Sequence, residues 1–301
     1  MTEDKFVRRS LRQLSDELAA LGHPACPTTV AGLLRGLGYN LRVNRKRITG
    51  PYHPDRDRQF GYIEAMIEAF RAEGLPVLSV DTQKKELVGN FANAGAAWVD
   101  EPVEVNAHDF VRDAVCRAVP YGLYDFLANM GDVVVGTSAD TPDFAADAVT
   151  RWWVRCGCKR YRGAGRLLLL ADSGGSNGCR PRLWKRRLQG LADWYGLEVT
   201  VCHYPRGASK WNPVEHRLFS QISRNWAGVP LRTPTLMLAL LRGTRTATGL
   251  EVTAEWLENK YRRGVVVSDA EMDELNIEHH STCPQWNYTI KPRDAQWWNW
   301  N

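Results

Sequence analysis

Two short apolar runs constrain this chain more than any other feature of its sequence. Residues 75–81, LPVLSVD, broken only by Ser79, and residues 165–172, GRLLLLAD, apolar from Leu167 to Ala171, are runs that each stop on an aspartate. Near-continuous runs of this length match strands buried on both faces, the pattern found in the middle of a parallel or mixed sheet covered by helices. An acid at the end of such a strand has its backbone fixed by the sheet while its carboxylate emerges at the rim. Asp81 and Asp172 therefore predict a pair of acids held at one edge of an α/β core.

The segments around these runs extend the picture. Phe60, Ile63, Ile67 and Phe70 recur at helical spacing ahead of the first run. Residues 121–138 read as a hairpin turning near Asn129 and Gly131, and a helix is expected over about 142–156. After the second run come an amphipathic helix, a strand in LEVTVCHYP, and a helix opened by Asn212 and Pro213, proline being favoured at the first helical position. Strand, hairpin, helix, strand, helix, strand, helix describes an α/β fold, a mixed five-stranded sheet of the RNase H-like kind flanked by helices. Residues 83–118, rich in Gly, Asn and Pro, look like an insertion. The expected division is residues 1–58 as a DNA-binding segment and linker, 59–230 as the core, and 231–301 as a helical and loop extension.

Glu215 falls in the first turn of the helix opened by Pro213, where the helix dipole favours negative charge. Three carboxylates from two strands and a helix suit two Mg²⁺ ions, hard cations that take oxygen ligands and promote phosphoryl transfer. Asp125, Asp132, Asp140 and Glu86 are competing acids on spacing alone. Lys84 and Lys85 follow Asp81 closely, and Lys210 precedes Glu215. Each is placed to hold a DNA phosphate, although exposed salt bridges would explain the pair at 84 and 85 as well. Trp211 reads as core or as a base-stacking platform, and Ser176 and Asn177 as turn or DNA-positioning residues. His203 and His216 read as structural neighbours of the acids, because histidine suits zinc better than Mg²⁺. Trp152, Trp153, Trp184 and Trp194 are expected to pack helices on the sheet.

At the N-terminal end, Leu11, Leu14, Leu18 and Leu21 mark one helix, with Ser10 and Gln13 spaced as a capping box. A second helix is expected from Thr28 or Thr29, carrying Val30, Leu33, Leu34 and Leu37. Two short helices joined by a polar turn form a helix-turn-helix, and Arg35, Arg42, Arg45, Lys46 and Arg47 supply the charge to grip phosphates. A helical hairpin with a solvated basic loop is the plainer alternative. The net charge of +5 over 301 residues is modest, so the distribution of charge carries this argument rather than its total. No apolar run approaches the roughly 20 residues needed to span a bilayer, and the start lacks a secretory signal. The expected place is therefore the cytoplasm, at the nucleoid. Seven scattered cysteines do not suggest a disulfide framework.

Four stretches together resemble one family: SVDTQKKELVGNFANAG, LLLADSGGSNGCRPRLWK, TVCHYPRGASKWNPVEHRLFSQISRNW, and the late EWLENKYRRG, SDAEM and WNYTIKPR. They are similar to the DDE transposases of bacterial insertion sequences with a Rhodopirellula-type catalytic domain, and NPVEH is also similar to the final-acid segment of mariner-like enzymes. The resemblance runs from about residue 10 to residue 293. It implies an RNase H-like fold, Mg²⁺ or Mn²⁺ dependence, and Asp81, Asp172 and Glu215 as the catalytic, metal-holding acids, with Asp81 shared between two ions. It further implies DNA partners, the element's terminal inverted repeats and a target, and a homodimer on DNA. Family members carry more sequence before SLRQLSDEL, and the closing DAQWWNWN departs from the pattern. Those departures keep a second expectation in view, a decayed or domesticated protein that binds element ends without turnover.

Overall fold

The computed structural model describes Val7, residues 9–42 and residues 53–293. It divides into two compact units, residues 1–49 and 50–301. The first contains α1 (Leu11–Ala20) and α2 (Pro27–Gly36). The capping box forms as its spacing predicts. The Gln13 N–H donates to Ser10 Oγ at 3.2 Å, and the Ser10 N–H donates to Gln13 Oε1 at 2.9 Å. α2 starts slightly earlier than expected because Pro27 takes the first helical position after Cys26. Among the described residues of this unit only Val30 is buried.

The second unit opens with α3 (Arg56–Ala72) and then β1 (Val77–Thr82), β2 (Glu86–Val88), β3 (Cys116–Asp125) and β4 (Met130–Gly136). α4 (Pro142–Trp152) continues through a π-helical turn, Trp153–Gly157, into α5 (Cys158–Arg160). β5 (Arg166–Asp172), α6 (Arg182–Tyr195) and β6 (Glu198–Tyr204) follow. A second π-helical turn, Val214–Phe219, runs into α7 (Ser220–Asn225). The remainder comprises α8 (Pro234–Arg242), β7 (Glu251–Leu257), α9 (Asp269–Asp273), β8 (Ile277–His279) and β9 (Asn287–Ile290).

The strands lie in the order β7-β4-β3-β1-β5-β6-β9-β8, with β2 paired to β3. The expected five form the middle: β4, β3 and β1 are antiparallel, and β1, β5 and β6 are parallel. This is the RNase H-like fold. Among the described residues the full sheet has nine strands rather than five, because residues 231–293 supply three where helix and loop alone were expected and the segment read as an insertion supplies β2. β7 lies parallel to β4 at one edge, and β9 antiparallel to β6 near the other. The alternating exposure of EVTAEWL is its signal in sequence, whereas β8 and β9 are too short to give one.

Burial explains why the two runs are so apolar. Leu167, Leu169 and Ala171 of β5 face a core built with Phe144, Val149 and Trp152 of α4 and Trp184 and Leu188 of α6. Leu168 and Leu170, pointing the other way, pack with Ile63 and Phe70 of α3. Both faces are thus covered, and each buried leucine contributes about 1.5–3 kcal/mol. Trp152, Trp153 and Trp184 are buried as expected, but Trp194 is 67% exposed. It sits on the outer face of α6, opposite the side that buries Leu188, Leu191 and Ala192. A buried amide pair ties first element to last: the Gln59 and Asn287 side chains exchange two bonds of 2.7 Å, and Gln59 Nε2 also donates to the His203 carbonyl at 2.9 Å.

Candidate active site

β1 and β5 are parallel neighbours in a register that pairs Val77 with Leu168 and Val80 with Ala171. Asp81 and Asp172 each follow the last of these paired residues, so they stand side by side at the same rim. Across β1 on the other side, Asp81 is opposite Gly122 of β3. That glycine has a reason to be bare. A Cβ there would lie 2.2 Å from the Phe219 ring, and one at Gly131 of β4 would lie 2.4 Å from a Leu218 methyl. The two glycines let Leu218 and Phe219 press onto the sheet, which seats the π-helical turn bearing Glu215 near the strand ends. Wide turns of this kind recur at functional sites.

Asn212 knots the three elements together and is completely buried. Its Oδ1 accepts from Ser79 Oγ at 2.5 Å, and its Nδ2 donates to Asp172 Oδ1 at 3.1 Å. Ser79 Oγ also accepts from the Val214 N–H at 2.8 Å, and the Glu215 N–H donates to the Asn212 carbonyl at 3.0 Å. One serine of β1 and one asparagine thus orient Asp172 and start the Glu215 helix. Their roles were not evident in the sequence, where Asn212 registered only as a helix opener.

Burial, and then the neighbouring Asp172, push the Asp81 carboxyl up to about 8; the Thr82 N–H, 2.7 Å from Oδ1, opposes this, while Glu215 and Asp140 add to it. Asp172 is raised by burial, against the pull of the Asn212 amide. Glu215 is raised by burial and by Asp172. The three acids therefore feel one another. Among the described residues no three His, Cys, Asp or Glu side chains stand close enough to enclose a single ion, so these acids converge on one rim without closing into a shell. Oxygen donors whose mutual repulsion a cation would relieve fit a hard divalent ion such as Mg²⁺.

The other expected residues divide. Lys85 Nζ lies 3.4 Å from Asp140, which also accepts from Thr82 Oγ1 at 3.2 Å, so both border Asp81. Lys84 is exposed, 3.6 Å from Glu86. Lys210 and Arg56 stack over the half-exposed Trp211 ring at 4.0 and 4.7 Å, with Phe60 edge-on to it. Asn177 Nδ2 donates to the Val80 carbonyl at 3.2 Å beside Asp81. His203 is buried, which lowers its pKa to about 4; one ring nitrogen is 2.9 Å from the Asp172 carbonyl and the other 3.3 Å from the Tyr288 hydroxyl. His216 is exposed. Asp125 and Asp132 are held by Arg160 with Tyr161 and by Arg155, respectively. Arg35 and Arg42 are exposed in the N-terminal unit, and Arg45, Lys46 and Arg47 lie outside the described residues.

Three clefts open onto the acids. One of about 520 Å³ lies beyond Asp172 and is bordered by Gly174, Gly175, Arg180 and Arg206. A second, about 470 Å³, lies beyond Asp81 and shares Gly175 with the first. The third, about 450 Å³, is lined by Glu215, Ser220 and Ser223 and shares Gln83 and Lys84 with the second. Each of the three carboxylates thus borders a cleft.

A mixed sheet in this order, with two acids at the ends of neighbouring parallel strands and a third on a helix packed across them, defines an RNase H-like protein of the DDE type. The chain belongs to the Rhodopirellula transposase DDE domain family, whose model matches residues 1–292. Among solved structures it is similar to the Mos1 transposase paired-end complex with left transposon end, at 16% identity over 75% of this chain and 63% of that one, with a TM-score of 0.44. It is also similar to the Mos1 strand transfer complex, at 15% identity over 78% of this chain and 70% of that one, TM-score 0.44. A mariner Mos1 paired-end complex with Mg matches at 15% identity over 78% and 71%, TM-score 0.42. The chain thus spans less than two thirds of the first Mos1 chain. No curated protein matches it.

Proposed function

We propose that this protein is a transposase that cleaves DNA at the ends of its own insertion sequence and joins the freed ends to a target, using Asp81, Asp172 and Glu215 to hold two divalent ions, Mg²⁺ or Mn²⁺. The observation that carries this reading is the approach of three part-buried carboxylates at one rim, each raised in pKa by burial, in a chain of the transposase DDE family. The three acids would hold the ions, Asp81 and Asp172 from neighbouring strand ends and Glu215 from the turn packed on the sheet. When bound, the ions supply activation of the attacking oxygen and neutralisation of charge on the phosphate. The protein's own share is positioning. Asn212 turns the Asp172 carboxylate toward the rim, the Leu218–Phe219 contact with the sheet seats Glu215, and neutral His203 braces the Asp172 backbone. In the first step a water oxygen bonds to phosphorus and the bond to the 3′ oxygen breaks. In the second that 3′ hydroxyl attacks a target phosphodiester, one bond replacing another, so neither step requires an energy-supplying cosubstrate.

In this reading α2, Arg35, Arg42 and the basic stretch at Arg45, Lys46 and Arg47 bind the terminal inverted repeats. Lys84, Lys85 and Lys210 hold phosphates near the chemistry, and two copies act on paired ends. The test is a cleavage and joining assay on labelled DNA from the element's own flanks, with Mg²⁺ or with EDTA. Asp81→Asn is expected to lower Mg²⁺-dependent cleavage by about 10³-fold, equivalent to about 4 kcal/mol, with binding retained. Undiminished cleavage by that variant would remove the site assignment. Binding without product by the wild type would point to an end-binding protein lacking turnover.

A further inference from the structure

The acids at the rim do not stop at three. Of the competing carboxylates, Asp125 and Asp132 are held by Arg160 and Arg155 inside the fold, and Glu86 pairs with Lys84. Asp140, in the loop between β4 and α4, differs because its charge bears on the site. Burial and Asp172 raise the Asp81 carboxyl most, and Glu215 and Asp140 add to the rise. The hydroxyl of Tyr121, opposite Thr82 in the sheet, is raised by burial and then by Asp81 and Asp140. Asp81 and Asp140 also line the same cleft.

Thr82 ties the two carboxylates together. Its N–H donates to Asp81 Oδ1 at 2.7 Å, and its hydroxyl donates to Asp140 Oδ1 at 3.2 Å. The other oxygen of Asp140 faces Lys85 Nζ at 3.4 Å. The helix that follows does not require Asp140 as its cap, since the Thr141 hydroxyl accepts from the Phe144 N–H at 3.3 Å. Nor is the pair an ordinary surface contact. The Asp140 and Lys85 side chains are 18% and 34% exposed, against 82% for Lys84. Exposed ion pairs contribute little, whereas charges shielded from water act more strongly on their neighbours. Asp140 closes no shell with the other acids. Mg²⁺ keeps several of its waters when carboxylates hold it, so an acid beyond direct reach still acts through a bound water.

We propose that Asp140 is a fourth, outer acid of the divalent-ion site, and that Lys85 is its built-in counter-charge. Asp140 steadies Asp81 through Thr82 and adds negative charge behind it. Lys85 holds that charge in check in the metal-free protein, so the pair sets how tightly the rim takes an ion. This rests on the reading that Asp81, Asp172 and Glu215 hold divalent ions.

The test is Mn²⁺ binding to the full chain without DNA, followed by loss of the free-ion EPR signal. Asp140→Asn should weaken binding about tenfold, Lys85→Met should tighten it about threefold, and the double variant should fall between the two. Lys84→Met removes the same charge from the same cleft, and should change affinity by no more than about twofold. A purely structural pair would lower the melting temperature in both single variants and leave Mn²⁺ binding alone. Lys85→Met keeps the acid in place and gives the second reading if Asp140→Asn does not fold. Unchanged affinity in both single variants, or a shift of the same sign in both, would overturn the assignment. Wild-type binding that is lost in Asp81→Asn yet indifferent to both variants removes this inference and keeps the metal reading. Absence of Mn²⁺ binding in the wild type removes both.

Discussion

The two units of this chain solve the burial problem in opposite ways. The unit at residues 50–301 covers both faces of a sheet, and its central leucines, 167 to 170, are wholly buried. The unit at residues 1–49 has helices as regular, with a complete capping box, yet Leu21, Leu33 and Leu37 are more than half exposed and, among its described residues, Val30 alone is buried. Local chemistry is enough to start and stop a helix. It is not enough to make a core, which needs apolar faces meeting from elements distant in sequence. One unit is held by tertiary packing, the other by caps and turns.

That contrast can be broken by substitution. Leu169→Ala should destabilise the sheet-containing unit by about 2–5 kcal/mol. All the tryptophans lie beyond residue 49, so their fluorescence reports on that unit alone during denaturation. A cost near zero would mean the packing is not the source of stability. The acids supply a second asymmetry. Folded and free of metal, Asp81 keeps its proton up to about 8, against 3.8 for an unperturbed aspartate. The folded state then binds more protons than the unfolded one across that window, so stability falls as pH rises through it. Tryptophan-detected melts in EDTA should show Tm declining by several degrees from acid to pH 8, and Mg²⁺ at pH 8 should restore it. A flat profile would count against the crowding of acids. Asn212→Ala should cost about 1–3 kcal/mol by orphaning Ser79 and freeing Asp172, and cleavage should fall with it. In the other unit, Ser10→Ala should cost only about 1 kcal/mol, seen as faster amide exchange in α1 with unchanged tryptophan melting. Leu33→Ser should do least, within about 0.5 kcal/mol, and a larger effect would show that its exposed side chain is covered in solution.

How much was legible in sequence follows from the range of the forces involved. The place of Asp81 and Asp172 at strand ends could be read because apolar runs announce covered strands, and the capping box because it is complete within four residues. The side-chain bonds of Ser79 and Asn212 could not, since they join residues 40 to 135 positions apart. Gly122 and Gly131 looked like ordinary hairpin glycines until Leu218 and Phe219 filled the space above them. Trp194 was misjudged because its size suggested burial while its position on α6 faces outward. β8 and β9 escaped notice because three or four residues carry no periodicity.

The late strands carry one further consequence, for synthesis. Without residues 251–290, β4 and β6 would be the open margins of the sheet. A nascent chain emerging from the ribosome therefore presents two unpaired strand edges until residues 251–290 are made, and such edges invite association between chains. The Gln59–Asn287 amide pair is the final stitch, joining the beginning of the unit to its end. A premature stop near residue 250 would leave an adhesive fragment rather than a smaller working core, although all three acids would already have been translated.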